Sequence, residues 1–392
     1  MKRFTHRAAA RNVVAIVGIA SLFALAGCSS TNASGGTGTK SKADITVGTV
    51  GTTADFHTIA SVCGTKSVTV GVVDGGGTNA WSKTVKAEID AEAAKCPAIK
   101  SVQYAAGAFN LQATTSAITS FAAKGDKIIL VIPDGGPGAA QLAAIRTATK
   151  AGSIVVPFAS DPTGKAGVDY LDYTDQSSEN SGKVWATWMV KQLGSKGGNI
   201  VFLGGPAGNN VSSEEFIGVK DVLKSNPQVK LLNPSAPITT NWDPAVAQTA
   251  MTGLLAKYPE IDGVITDYGA TSDGVIRAYQ AAGKQLVPLT STDENSLSCG
   301  YDALKAKNPN YELATVSSRT WIGRVALRKA LGEFEGKSDT EPSIYNLALY
   351  EDSTGGTPGS IAPDKACIKG APADVPPSTL LTPAQVAATF GS

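Results

Sequence analysis

From residue 66 onward the chain alternates short β-branched runs with longer helix-like segments, and this rhythm limits the fold more than any other feature. "SVTVGVV" (67–73) is short, β-branched and continuous, the pattern of a strand buried on both faces. "AWSKTVKAEIDAEAAK" (80–95) follows, with Val85 and Ile89 on one helical face. "SVQYAAG", "KIILVIP" and "SIVVPFA" read as further strands, with "LQATTSAITSFAAKG" and "AAQLAAIRTATKAG" as the helices between them. The alternation resumes through "VWATWMVKQLG", "NIVFLGG", "SEEFIGVKDVLKSNP", "VKLLN", "PAVAQTAMTGLLAKYP", "DGVITDY", "TSDGVIRAYQAAG" and "QLVPLTS", and ends in "ATVSS" and "WIGRVALRKALGEFEG". Gly125, Gly152, Gly194 and Gly283 stand where helices should stop. Strand, helix, strand with short links predicts right-handed crossovers and parallel sheets. About ten strand candidates exceed one sheet of five or six. The fold class expected is therefore α/β, with two doubly wound parallel-sheet lobes.

The start of the chain follows different rules. "MKRFTHRAAAR" carries Lys2, Arg3, Arg7 and Arg11 and no acid, and "NVVAIVGIASLFALAG" is apolar and uncharged. That apolar run is short of the roughly twenty residues a spanning helix needs, and reads as a secretory signal peptide. "Leu25-Ala26-Gly27-Cys28" resembles the lipobox of bacterial lipoproteins, which implies cleavage before Cys28 and lipid on its sulfur. Residues 1–27 are then the leader, and 28–65 a lipidated cysteine with a flexible tether rich in Gly, Ser and Thr.

The chain has 34 basic and 33 acidic residues, and the leader holds four of the basic ones. No basic patch points to nucleic acid. Five cysteines are present, and without Cys28 an even four remain: Cys63, Cys96, Cys299 and Cys367. In an exported chain an even count favours disulfides. Of the three possible pairings, Cys63–Cys96 with Cys299–Cys367 is favoured, because each pair ties a terminal or loop segment to nearby structure. No metal site is expected: there is no C-x-x-C, and His57 is the only histidine after the leader.

In doubly wound sheets, ligands bind beyond the carboxyl ends of the strands. The stretches at those places are "DGGGTNAW" (74–81), "AFN" (108–110), "PDGGPG" (133–138), "SDP" (160–162), "GGPAGNN" (204–210), "TTNWD" (239–243), "DYGATSD" (267–273) and "STDEN" (291–295). They are rich in Asp, Asn, Thr, Tyr and Trp. No G-x-S-x-G elbow or Ser-His-Asp set is visible. The glycine run 75–80 misses the dinucleotide pattern at its last place, and "GEFEGKSD" is one residue short of a phosphate loop. Asp243 and Asp293 suit hydrogen bonds to hydroxyls more simply than acid–base chemistry. The expectation is a binding protein and not an enzyme, with no cofactor. Aromatic faces suit the C–H patches of sugars and polyols, and Asp, Asn and Arg suit their hydroxyls. Trp81 and Trp242 are read as ligand-facing, against packing or hinge cover. Trp185 and Trp188, inside a helix pattern, are read as structural.

The region from about 66 to 350 resembles the type I periplasmic sugar-binding proteins, the ribose-binding-like family that feeds ABC importers. The stretches that carry the resemblance are "ITSFAAKGDKIILVIPD", "AGSIVVPFASDP", "GSKGGNIVFLGGPAGNN" and, most fully, "NWDPAVAQTAMTGLLAKYPEIDGVITDYGATSDGVIRAYQAAGK". The resemblance implies a three-segment hinge joining an N-terminal lobe (66–172 plus 319–342) to a C-terminal lobe (173–318 plus 343–350). The tail, 351–392, then wraps the surface, with "LTPAQVAATF" as one short helix. Asn79 and Trp81 fall where the family places a polar residue and a stacking aromatic. Trp242 falls on its second stacking position, and Asp293 on an acid that accepts hydroxyl hydrogen bonds. Asp134 closes a strand, and Asp161 stands near the family's Asp-Arg pair. Other positions depart. Glu215 or a neighbour replaces an arginine, Tyr268 replaces an asparagine, and Arg319 is the candidate for the missing guanidinium. Glu215 also reads as a solvated helix-start acid, and Tyr268 as lid packing. The function implied is a lipid-anchored, monomeric, extracytoplasmic protein that delivers a sugar or polyol to ABC permease subunits. A nucleoside- or purine-binding lipoprotein and a sugar-sensing receptor domain stay open.

Overall fold

The computed structural model describes residues 43–134 and 138–391. The leader and Cys28 lie outside the described residues. The chain enters through β1 (Val50–Gly51) and one turn of helix, α1 (Ile59–Val62). It then runs through β2 (Val68–Asp74), α2 (Ala80–Ala93), β3 (Ile99–Ala106), α3 (Leu111–Lys124), β4 (Ile128–Ile132), α4 (Leu142–Lys150) and β5 (Ile154–Pro157). It crosses at β6 (Asp175–Gln176) into α5 (Ser178–Leu193), β7 (Gly198–Gly204), α6 (Asn210–Lys224), β8 (Val229–Leu231), β9 (Ile238–Thr239), α7 (Pro244–Lys257), β10 (Gly263–Thr266), α8 (Gly269–Ala281), β11 (Leu289–Thr292), α9 (Asn295–Lys305) and β12 (Leu313–Val316). It crosses back to α10 (Ile322–Glu335), returns through β13 (Ile344–Tyr345) to β14 (Leu349–Asp352), and ends in α11 (Pro363–Ala366) and α12 (Pro383–Phe390).

Two sheets form. One has the order β3-β2-β4-β5 and is parallel throughout. The other has the order β14-β12-β11-β10-β7-β8, with β9 also on β7, and is parallel except for β14. Each sheet is covered on both faces. Along β4, Ile128, Leu130 and Ile132 enter one core while Ile129 and Val131 enter the opposite one, all at 0% exposure. In β7, Val201 and Leu203 face one core and Ile200 and Phe202 the other. This two-residue alternation between buried faces is why the strands read as unbroken apolar runs. Helix ends follow local chemistry: Gly125 caps α3 at φ +86°, a conformation that side chains with a Cβ disfavour.

The chain passes between the sheets three times, around β6, at 317–321 and around β13. β13 pairs with β1 on one side and β6 on the other, in a small parallel sheet at the junction. α10 packs in the first lobe, against α2, β4 and β5. Its buried charges are paired: Arg324 with Glu88 and Glu92, Arg328 with Glu92 (2.9 Å) and Glu341 (2.7 Å), and Lys329 with the carbonyls of Thr46 and Glu341.

Three features differ from expectation. Residues 44–65, expected as tether, are pinned to the first lobe. Ile59 and Val62 join its core, Thr46 bonds the Asp339 carbonyl, and a disulfide joins Cys63 to Cys96 at the end of α2. The sequence of α9 gave no clear helical signal, because Ser296, Ser298 and Gly300 break up its apolar stripe, yet Leu297 and Tyr301 are buried. The tail is more than a surface wrap. A second disulfide, Cys299–Cys367, fixes its root to α9. Val375, Leu381 and Val386 then pack on Ala87 and Ala91 of α2. No helix among the described residues is long and apolar enough to cross a membrane.

Candidate functional site: the cleft between the lobes

The carboxyl ends of both sheets meet across a cleft lined by residues of both lobes, the kind of place that small-molecule sites favour. Each wall is built from residues at or within a few positions of a strand's carboxyl end, or in the first turn of the helix that follows. β2 ends in Asp74, which is buried. Its Oδ1 accepts from Gly76 N–H (2.9 Å) and its Oδ2 from the Tyr104 hydroxyl (2.9 Å). Burial raises its carboxyl above the ordinary range. Gly77, at φ +81°, lets the turn lie against Ala106, where a Cβ would overlap it. Asn79 then caps α2, accepting from Ser82 N–H (2.9 Å). Trp81, in the first turn of α2, donates its indole N–H to the Ser318 carbonyl (2.8 Å) in a crossing segment.

Beyond β3, Ala108 and Phe109 hold φ values of 49° and 58°, presenting Phe109 at the mouth. Beyond β4 stands Asp134. Burial pushes it up to about 7, against the opposing hydrogen bond of Ser160, and its Oδ1 has no partner among the described residues.

The second lobe mirrors this arrangement. Trp242 follows β9 and lies over Gly205, where a methyl group would overlap the indole. Asn241 and Trp242 both sit at φ 56°. Asp267, just past β10, accepts from Gly205 N–H (2.9 Å) and the Ser212 hydroxyl (2.5 Å). Burial raises it to about 6, and its Oδ1 has no partner among the described residues. Tyr268 and Thr292 complete this wall. Phe109 and Trp242, one from each lobe, face each other with ring centroids 6.3 Å apart. Arg319 closes the back. Its Nε donates to Asp175 (2.6 Å), its Nη2 to the Ala159 carbonyl (3.1 Å), and its guanidinium lies 6.0 Å from the Trp81 ring.

Of the residues singled out from sequence, Asn79, Trp81, Asp134, Trp242, Tyr268 and Arg319 line this cavity together. Asp161, Glu215 and Asp293 do not. The Asp161 carboxylate accepts from its own turn at Thr163 N–H (2.7 Å), while its carbonyl accepts from Asn210 of the other lobe (3.0 Å). Glu215 is no solvated helix-start acid. It is 0% exposed inside the second lobe, neither oxygen has a partner among the described residues, and burial holds its carboxyl well above the ordinary range. Asp293 is spent on Ser318 N–H (2.5 Å) and Ser378 N–H (2.6 Å). Sequence reasoning missed Asp74, Phe109, Asp267, Thr292 and Ser318. For Asp74 and Asp267 the signal was present: each is the acid that ends an apolar strand, "VVD" and "VITD". Trp185 and Trp188 are core residues, bonded to the Ser291 carbonyl (2.9 Å) and to Asp352 (3.0 Å).

One other cluster has metal-binding residue types. His57, Asp339 and Glu341 converge at the base of the first lobe. Both Glu341 oxygens are held by Arg328, and His57 Nδ1 lies 3.1 Å from Asp339. The group reads as a charge network that pins the entering chain.

A family model described as the periplasmic binding protein domain matches residues 70–336. The xylitol-binding protein of Mycolicibacterium smegmatis is 33% identical over 119 residues, 30% of this chain and 32% of that protein. The multiple sugar-binding periplasmic receptor ChvE of Rhizobium radiobacter is 28% identical over 258 residues, covering 60% of this chain and 69% of the receptor. The crystal structure of a galactofuranose binding protein aligns with a TM-score of 0.63 at 20% identity, over 72% of this chain and 94% of that one. The chain belongs to the periplasmic binding protein domain family and has its type I fold. It is therefore a binding protein and not an enzyme, of a family whose location is extracytoplasmic.

Proposed function

We propose that this chain is the lipid-anchored solute-binding protein of an ABC importer, capturing a sugar or polyol by closure of the two lobes. One observation carries the reading. Among the described residues, Asp134 Oδ1 and Asp267 Oδ1, from opposite lobes, are buried at the cavity without a hydrogen-bond partner. Buried acceptors call for donors, and a polyhydroxylated ligand brings several. Trp81, Trp242 and Phe109 supply apolar faces beside them. The only guanidinium lining the cavity among the described residues, Arg319, is already paired with Asp175, so the wall as a whole accepts more than it donates. The relatives named for xylitol and for multiple sugars agree with this chemistry. Only the closed arrangement lets both walls touch one ligand, so binding draws the hinge shut. Cys28 supplies the anchor and the permease subunits read the closed form.

The test is a thermal-shift and tryptophan-fluorescence screen of residues 29–392 with Cys28 removed, against pentoses, hexoses, polyols, nucleosides and amino acids. At one hundred times the dissociation constant, binding adds about 2.7 kcal/mol of stability. A sugar or polyol hit that is lost in Trp242→Ala supports the reading. A response to nucleosides alone replaces it with a nucleoside carrier, and silence across the panel removes it.

A further inference from the structure

The tail beyond β14 lies outside the residues matched by the family model, yet it reaches the cleft wall. Its root is fixed on the second lobe. Cys367 is bonded to Cys299, the Asn295 side chain donates to the carbonyls of Ile368 (3.0 Å) and Ala371 (3.2 Å), and Asn295 N–H donates to the Val375 carbonyl (2.9 Å). Ser378 is then gripped by Asp293, at the end of β11. Asp293 Oδ2 accepts from Ser378 N–H (2.6 Å) and its Oδ1 from the Ser378 hydroxyl (3.1 Å). The very next residues are gripped by the other lobe. Glu88 of α2 accepts from the Thr379 hydroxyl (2.6 Å) and from Leu380 N–H (2.6 Å). The tail thus changes lobes between two adjacent residues. Adjacent Cα atoms are about 3.8 Å apart, so this crossing has no slack. A rotation that separates Asp293 from Glu88 must break one of the two grips.

The crossing also touches the ligand wall. The Ser317 and Ser378 hydroxyls are 2.7 Å apart, and the Ser317 hydroxyl also accepts from Arg319 N–H (3.1 Å). The same Asp293 oxygen that holds the Ser378 hydroxyl accepts from Ser318 N–H (2.5 Å), and Ser318 in turn holds the Trp81 indole. From these contacts we infer that residues 377–381 form a fourth hinge crossing, in which Ser378 is a positioning residue that limits lobe opening and holds Ser318 and Arg319 in the cavity wall.

The experiment needs no ligand. Spin labels are attached by non-cysteine chemistry at Gln112 and Thr249, exposed positions at the starts of α3 and within α7, and their separation is measured by pulsed dipolar spectroscopy in the ligand-free full-length protein. Ser378→Ala and Thr379→Ala are expected to broaden the distance distribution and move it to longer separations. Ser378→Thr, which keeps the hydroxyl, is expected to retain the wild-type distribution. Deletion of 377–392 should give the largest shift, and if that variant does not fold the point variants decide. A double variant, Ser378→Ala with Thr379→Ala, that melts as a folded protein and keeps the wild-type distribution overturns the inference. So does a lower melting temperature with an unchanged distribution, because a merely structural role lowers stability without releasing the hinge.

Discussion

Asp267 ties the stability of the closed cleft to pH, and the sign follows from its surroundings. Its carboxyl is raised from an ordinary 3.8 to about 6, chiefly by burial, in spite of hydrogen bonds from Ser212 and Gly205. The folded chain therefore holds this proton more tightly than the unfolded chain does. Between about pH 4 and pH 6 the folded state binds more protons, so stability falls as pH rises. The contribution is fully present below the unfolded value and is lost as pH climbs through about 6. A rise of that size is worth about 3 kcal/mol. Asp134, raised to about 7, acts in the same direction at slightly higher pH. The Asp267→Asn variant isolates the first effect, because its amide oxygen can still accept from Gly205 and Ser212 while carrying no titrating group. Calorimetric melting from pH 4 to pH 8 should show the variant losing less stability than wild type over this window, by a few degrees in Tm at the upper end. Parallel curves for the two proteins would refute the assignment, and a wild type that gains stability from pH 4 to pH 6 relative to the variant would reverse its sign.

Gly205→Ala should displace the Trp242 indole and abolish the fluorescence response to any ligand found in the screen, with unchanged far-ultraviolet circular dichroism. Trp81→Ala removes an aromatic face and the hydrogen bond to Ser318, and should weaken binding at least about tenfold, close to 1.4 kcal/mol, by titration calorimetry. The disulfides close spans of 33 and 68 residues; replacing either pair by serine should cost about 4 kcal/mol on chain-entropy grounds, seen as a lower Tm. Arg319→Ala leaves Asp175 buried without its cation and should cost about 3–5 kcal/mol in denaturant unfolding.

The architecture was legible because burial on both faces writes itself into the strands: a run such as "IILVI" has few other uses in a soluble domain. The strand-end rule located the cleft for the same reason, since six of the nine residues singled out for ligand contact line it. The failures share a cause. Asp293 looks like a ligand group until Ser378, 85 positions later, is seen to occupy it. Glu215 looks like a surface acid until α5 is packed beside it, with Gly182 against its backbone. Asp161 looks poised at a strand end but turns back on Thr163. Local pattern reports which end of a sheet a residue occupies. It does not report which distant segment has already claimed its oxygens.

α10 is part of the first lobe in space, but it follows the whole second lobe along the chain. The second lobe likewise waits for β14 to cover the edge of β12. As the polypeptide emerges, neither half can finish on its own. Until residues 322–335 arrive, α2 and β5 keep an apolar face uncovered and Glu88 and Glu92 lack their arginines. The two halves therefore complete their cores almost together, only once residues 322–352 are available. A chain cut or stalled before that point displays a sticky surface, the kind that chaperones hold and proteases remove.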